Sequence, residues 1–176
     1  MLDVYVHNLL NMKRFHALQA RNVHECLLQS RIGKVRILYT LGYSGWTPQA
    51  IQMEAQARNT VVCDIRYSPG SRHPQWNKRQ LSQLLSARYQ HVQALGNCNY
   101  KNGGPIELAD YEAGKQVIAE ILATGQSVIL MCACKDLATC HRRTAAERLA
   151  ADLGVPITHL VPPKKQRTQE AQGRLF

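Results

Sequence analysis

Val128-Ile-Leu-Met-Cys132-Ala-Cys134-Lys-Asp-Leu-Ala-Thr-Cys140-His141-Arg142-Arg143 is the stretch that decides the fold. An apolar run ends in a cysteine, a short polar loop follows, and a Cys-His-Arg triplet opens a helix. Thiols are therefore expected at a strand's carboxyl end, beside a helix N-terminus. Such a place is electropositive, favours thiolates and holds anions.

The same rhythm extends outward in both directions. Residues 35–41 read as a first strand, and Thr47-Pro48 as the N-cap and first residue of a helix running to about Arg58. Residues 60–66 read as a buried strand, and Asn77 as the cap of a helix through about Ala87. A short strand is expected over 89–94, a helix over 109–124 and the strongest strand over 127–132. A helix over 140–153 should end at Gly154, followed by a last short strand over 157–161. Strands alternating with helices of this length predict a doubly wound α/β domain. Its five-stranded, mostly parallel sheet would carry helices on both faces. Ligands of such folds bind outside the carboxyl ends of the strands, where strand order reverses.

The predicted domain covers residues 35–161. Residues 1–34 form an N-terminal extension with one possible amphipathic helix. Residues 162–176 read as a flexible basic tail. A chain of 176 residues suits one domain with a real core. There is no apolar run of membrane-spanning length. Asp3, Asn11, Lys13 and Arg14 interrupt any signal-peptide core, so a cytoplasmic protein with no membrane partner is expected. In that compartment six cysteines are read as thiols or ligands before disulfides. Cys63, inside an apolar run, reads as a small core residue. A net charge of +10 points to a polyanionic partner, nucleic acid or nucleotide first.

Three polar motifs fall at strand ends on one expected edge: Gly42-Tyr43-Ser44-Gly45-Trp46, then Asp64-Ile-Arg66-Tyr-Ser-Pro69-Gly70-Ser71-Arg72, then the cysteine loop. Taken in order they resemble the domain-of-unknown-function family numbered 488, over roughly residues 36–161. The resemblance implies a compact α/β protein and no established reaction. The family pattern usually has a glutamate where this chain has Cys134.

Four readings of the cysteine loop stand side by side. Cys132 or Cys140 would be a nucleophilic thiol with His141 as proton carrier. Alternatively Cys132, Cys134, Cys140 and His141 would bind a metal, although adjacent Cys140 and His141 fit one ion poorly. Arg66, Ser71, Arg72, Lys135 and Arg142 would bind a phosphate or carboxylate without covalent chemistry. Or the cysteines simply pack. Asp64 is read as a buried partner of Arg66 or as a general base. The expected site therefore joins Cys132, Cys140, His141 and Asp64 to those anion binders and to the loop Gly42, Tyr43 and Ser44, with no metal and no cofactor.

The last residues carry a separate signal. Gln172-Gly-Arg-Leu175-Phe176 resembles the sliding-clamp-binding pentapeptide of bacterial DNA polymerases and repair proteins. Leu175 and Phe176 are the large apolar residues of an otherwise polar tether. A partner's groove would bury each for roughly 1.5–3 kcal/mol, with Gln172 hydrogen-bonding at the rim. These readings converge on a clamp-recruited accessory protein of DNA repair or replication with an anion-binding Cys/His/Arg crevice. The alternatives are a small-molecule thiol enzyme, rhodanese-like or cysteine-phosphatase-like, and a non-catalytic binding adaptor.

Overall fold

The structure, a computed structural model, describes residues 35–163. The expected N-terminal helix, most of the basic tail, and Gln172, Leu175 and Phe176 lie outside the described residues.

Five strands form one parallel sheet: β1 (Leu38–Gly42), β2 (Thr60–Asp64), β3 (Tyr89–His91), β4 (Ser127–Cys132) and β5 (Ile157–His159). Their order across the sheet is β3-β2-β4-β1-β5. Four helices connect them: α1 (Pro48–Ala57), α2 (Lys78–Leu85), α3 (Tyr111–Ala123) and α4 (His141–Leu153). The doubly wound α/β expectation thus holds, with every strand pair parallel.

The sheet's two faces carry separate cores. Alternate residues Val61, Cys63, Val128, Leu130 and Cys132 pack with Ile118 and Leu122 of α3 and Ala145 and Leu149 of α4. The intervening Val62, Ile129 and Met131 pack with Ile51 of α1 and Leu81 of α2. Right-handed crossovers explain the division. The chain moves one way across the sheet from β1 to β3, placing α1 and α2 on one face. It then moves back through β4 to β5, placing α3 and α4 on the other.

Local signals set the helix ends. Thr47 is extended and its side chain accepts from the Ala50 N–H at 3.1 Å, with Pro48 opening α1. α4 stops at Gly154, whose φ of 64° is the left-handed conformation that closes a helix. Asn77 precedes α2 without capping it through its side chain. Its Oδ1 instead accepts from the Ser71 N–H at 2.6 Å and ties down the loop after β2. The strand expected over 89–94 is cut to Tyr89–His91 by a 3₁₀ turn over Gln93–Leu95. Among the described residues, no helix is long and apolar enough to cross a membrane.

Candidate functional site

β2 and β4 are neighbours, yet the chain leaves them toward opposite faces of the sheet. Their loops must part, which opens a crevice at their carboxyl ends. A cleft of about 340 Å³ lies there, walled by Arg66, Tyr67 and Ser68 after β2 and by Cys134 and His141 after β4. Asn97 and Tyr100 supply a third wall.

The three loop cysteines converge. Cys132, Cys134 and Cys140 have sulfur atoms within 4.8 Å of one another. Cys132 and Cys140 are buried, with their sulfurs 3.0 Å apart, and Cys134 is exposed. Cys140 is the N-cap of α4, its sulfur accepting from the Arg142 N–H at 3.5 Å. The Cys132 sulfur accepts from the Cys134 N–H at 3.3 Å and from Arg142 Nη1 at 3.1 Å.

Arg142 is turned inward. Its Nη1 also donates to the Cys134 carbonyl at 2.7 Å, and its Nη2 reaches the Lys135 carbonyl at 3.4 Å. The guanidinium therefore staples the cysteine loop to α4 and neutralises sulfur charge from inside. Gly42 is needed for this packing: a Cβ there would overlap the Cys134 carbonyl oxygen and lie 2.6 Å from Arg142 Nη1. A metal ion on the same sulfurs would sit against this fixed cation.

Cys132 and Cys140 titrate as a pair. Hydrogen bonding from Cys132 and then Cys134 holds the Cys140 thiol well below its ordinary range, with help from His141 and the Arg142 N–H. Hydrogen bonding to Cys134 and Cys140, and burial, push the Cys132 thiol up. The pair gives up one proton readily and resists a second. Burial alone would lower His141, but Cys134 and the Cys140 thiolate outweigh it, and the imidazole is pushed up to about 9. His141 Nε2 lies 2.9 Å from the Ile65 carbonyl, which can only accept, so Nε2 carries a proton. That leaves Nδ1 facing Cys140 at 3.9 Å. A backbone atom after β2 thus orients an imidazole on α4.

Asp64 is wholly buried. Its Oδ1 accepts from Arg66 Nε at 2.8 Å, and its Oδ2 from Arg66 Nη2 and from the Tyr89 hydroxyl at 2.8 Å. Both carboxylate oxygens are committed, so Asp64 positions Arg66. The Arg66 guanidinium carbon lies 5.3 Å from the centre of the Tyr43 ring, which stacks on Trp76 with ring centres 4.3 Å apart. Gly42 and Tyr43 brace the site from the end of β1, Ser44 is exposed, and none of the three lines the cleft. Ser71, Arg72 and Lys135 also stand away from its lining. Ser71 Oγ accepts from the His73 N–H at 3.1 Å, while Arg72 and Lys135 are exposed.

Two contributors escaped sequence reasoning, and a third, Cys134, was weighed there only as a metal ligand. Cys134 is the thiol that reaches the cleft, a place set by burial of its two neighbours. Asn97 and Tyr100 lie in a loop with no apolar period, so nothing local marks them.

Fold and site together define an α/β domain with a thiol cluster at the carboxyl edge of a parallel sheet. Residues 47–102 match the family described as Domain of unknown function DUF488. That span carries Asp64, Arg66 and Tyr100 and stops short of the cysteine loop. No curated protein matches the chain.

Proposed function

We propose that this chain performs thiolate chemistry on a small electrophilic ligand held in the cleft. The observation that carries the reading is the division of labour among three touching thiols: Cys134 faces the cleft, while Cys140 is buried at a helix N-terminus beside an oriented histidine. Cys134 is the nucleophile. As its sulfur bonds to an electrophilic carbon or sulfur of the ligand, its proton leaves to water in the open cleft, and the His141 imidazolium, kept charged by the Cys140 thiolate, stabilises the negative sulfur. The leaving group departs with the bonding electron pair and takes a proton from the His141 imidazolium. Arg142 holds the loop and balances its charge throughout. Arg66, already committed to Asp64, shapes the wall.

The test is alkylation of the full native chain with iodoacetamide at neutral pH, followed by mapping of the modified cysteines. Cys134 is expected to react at least tenfold faster than half-buried Cys98. Cys140→Ser should remove most of that advantage, and Cys134→Ser should remove the fast phase altogether. Equal rates at Cys134 and Cys98 would refute an activated site.

A second reading concerns recruitment, and the sequence Gln172-Gly-Arg-Leu175-Phe176 favours it. In this reading the C-terminal residues dock on a bacterial DNA sliding clamp, and the net charge of +10 adds salt-dependent affinity for DNA. The full chain should bind a purified clamp with micromolar affinity, and a chain lacking Leu175 and Phe176 should not. Identical binding by both, or by neither, removes the reading.

A further inference from the structure

Tyr67 and Tyr100 stand apart from the other large aromatic residues near the sheet. Trp46, Trp76 and Tyr39 are all at least nine-tenths buried, whereas Tyr67 is 36% and Tyr100 48% exposed. Both line the cleft, with ring centres 6.2 Å apart and planes inclined at 48°. They form one aromatic wall of the cavity that Cys134 and His141 share.

That wall is held in place. Gly96 lies so close to Tyr67 that a Cβ there would be 2.6 Å from the Tyr67 backbone nitrogen and Cα. The Tyr67 carbonyl also accepts from Gln93 Nε2 at 3.1 Å. Tyr100 rides on a loop closed by an antiparallel bridge between Asn97 and Leu108. Two tyrosines on a braced backbone thus offer part-exposed ring faces to the cleft, which a flat ligand would cover.

Asn97 narrows the ligand's chemistry. Its Oδ1 accepts from the Asn99 and Glu107 N–H groups at 3.1 and 3.0 Å. Those two bonds fix the amide orientation and leave Nδ2 as a donor with no partner among the described residues. Ser68 adds a hydroxyl to the same cleft. A planar ring with hydrogen-bonding atoms on its edge matches this lining. A purely hydrocarbon ring would leave these groups unpaired. A volume of about 340 Å³ suits one ring with a short substituent. Lys101, its ammonium 5.7 Å from the Tyr100 ring centre, places a cation at the rim.

We infer that the cleft takes a nucleobase-type heterocycle, stacked on the face of one of Tyr67 and Tyr100 with the other ring against its side, and with its polar edge toward Asn97 and Ser68. That Cys134 acts on this ring or its substituent rests on the thiol reading above; the binding itself does not. The ring arrives either as a free nucleotide or as an unpaired base of a nucleic acid strand.

The experiment titrates the full chain with the four ribonucleoside 5′-monophosphates and with short single-stranded DNA and RNA, following intrinsic fluorescence. Saturable binding to at least one of them is expected. Tyr67→Ala/Tyr100→Ala should weaken it at least tenfold, whereas Tyr67→Phe/Tyr100→Phe should retain it, because the stacking faces survive. Thermal unfolding of each variant checks that the fold is kept. Binding of the monophosphates alone supports a nucleotide, and binding of the strands supports an unpaired base. Absence of saturable binding to wild type, or equal binding by the double alanine variant, overturns the inference. Cys134 alkylation, run in parallel, separates the two failures. Ring binding without a fast thiol overturns only the thiol reading, and a fast thiol without ring binding overturns only this one.

Discussion

Replacing Asp64 by alanine is expected to destabilise the fold by about 3–5 kcal/mol, the cost of removing one partner from a buried ion pair. Asp64 is inaccessible to water and Arg66 is 5% exposed. The substitution leaves a guanidinium in the crevice wall without its countercharge, and it strips the Tyr89 hydroxyl of its acceptor. Against a typical domain stability of about 5–15 kcal/mol, that loss is a large fraction of the total. Equilibrium urea unfolding at constant m-value measures it. The double variant Asp64→Leu/Arg66→Met, which removes both charges, should recover much of the loss. A single-variant cost under about 1 kcal/mol would mean that Arg66 reaches solvent once released, and would end its assignment as a fixed wall.

The second large effect belongs to His141. Its folded value, about 9, lies above the unperturbed histidine value of about 6.5. The imidazolium's contribution to stability is therefore whole below about pH 6.5 and is lost as pH rises through about 9. The Cys140 thiolate has the opposite sign. Its depressed value adds stability above the ordinary thiol range, which is lost as pH falls through the folded value. Across neutral pH the two overlap as a thiolate–imidazolium pair. His141→Gln removes the cation, so alkylation of the cluster at pH 7 should slow by roughly ten- to a hundredfold. The difference from wild type should shrink as pH is raised past about 9, where the imidazole is neutral anyway. Rates measured by mass mapping from pH 6 to 10 check both statements. A variant as fast as wild type at pH 7 would show that the Arg142 guanidinium and the helix N-terminus suffice.

Much of the architecture was readable from local pattern. Thr47-Pro48 marks the start of α1, Gly154 marks the end of α4, and the apolar run through Cys132 marks β4 to the residue. These signals act within a few residues, through capping bonds, backbone conformation and alternation, so they survive in the linear order. The strand expected over 89–94 overshoots Tyr89–His91 because Val92, just before the buried Leu95, looks like a strand residue. In the fold they bury themselves from a 3₁₀ turn against α3. Asp64 and Arg66, two apart in an apolar strand, suggested a pair, and the bond geometry bears that out.

The roles of individual residues in the site were less legible. Arg142 looks in sequence like an anion binder, yet its guanidinium donates to Cys132 and the loop carbonyls. Cys134 looks like a minor companion of Cys132 and Cys140, yet it is the one of the three that meets water. Burial decides both outcomes, and burial depends on neighbours far along the chain.

By itself the sequence determined that strands and helices alternate, that the sheet is mostly parallel, and that thiols, a histidine and an arginine gather where a strand gives way to a helix. Only the tertiary structure decided that β2 lies beside β4. That adjacency brings the Ile65 carbonyl to His141 across 76 positions of sequence and sets Tyr67 opposite Cys134. The reason is physical: periodicity and capping are paid out residue by residue, while strand order follows from the joint packing of two cores that no short segment contains.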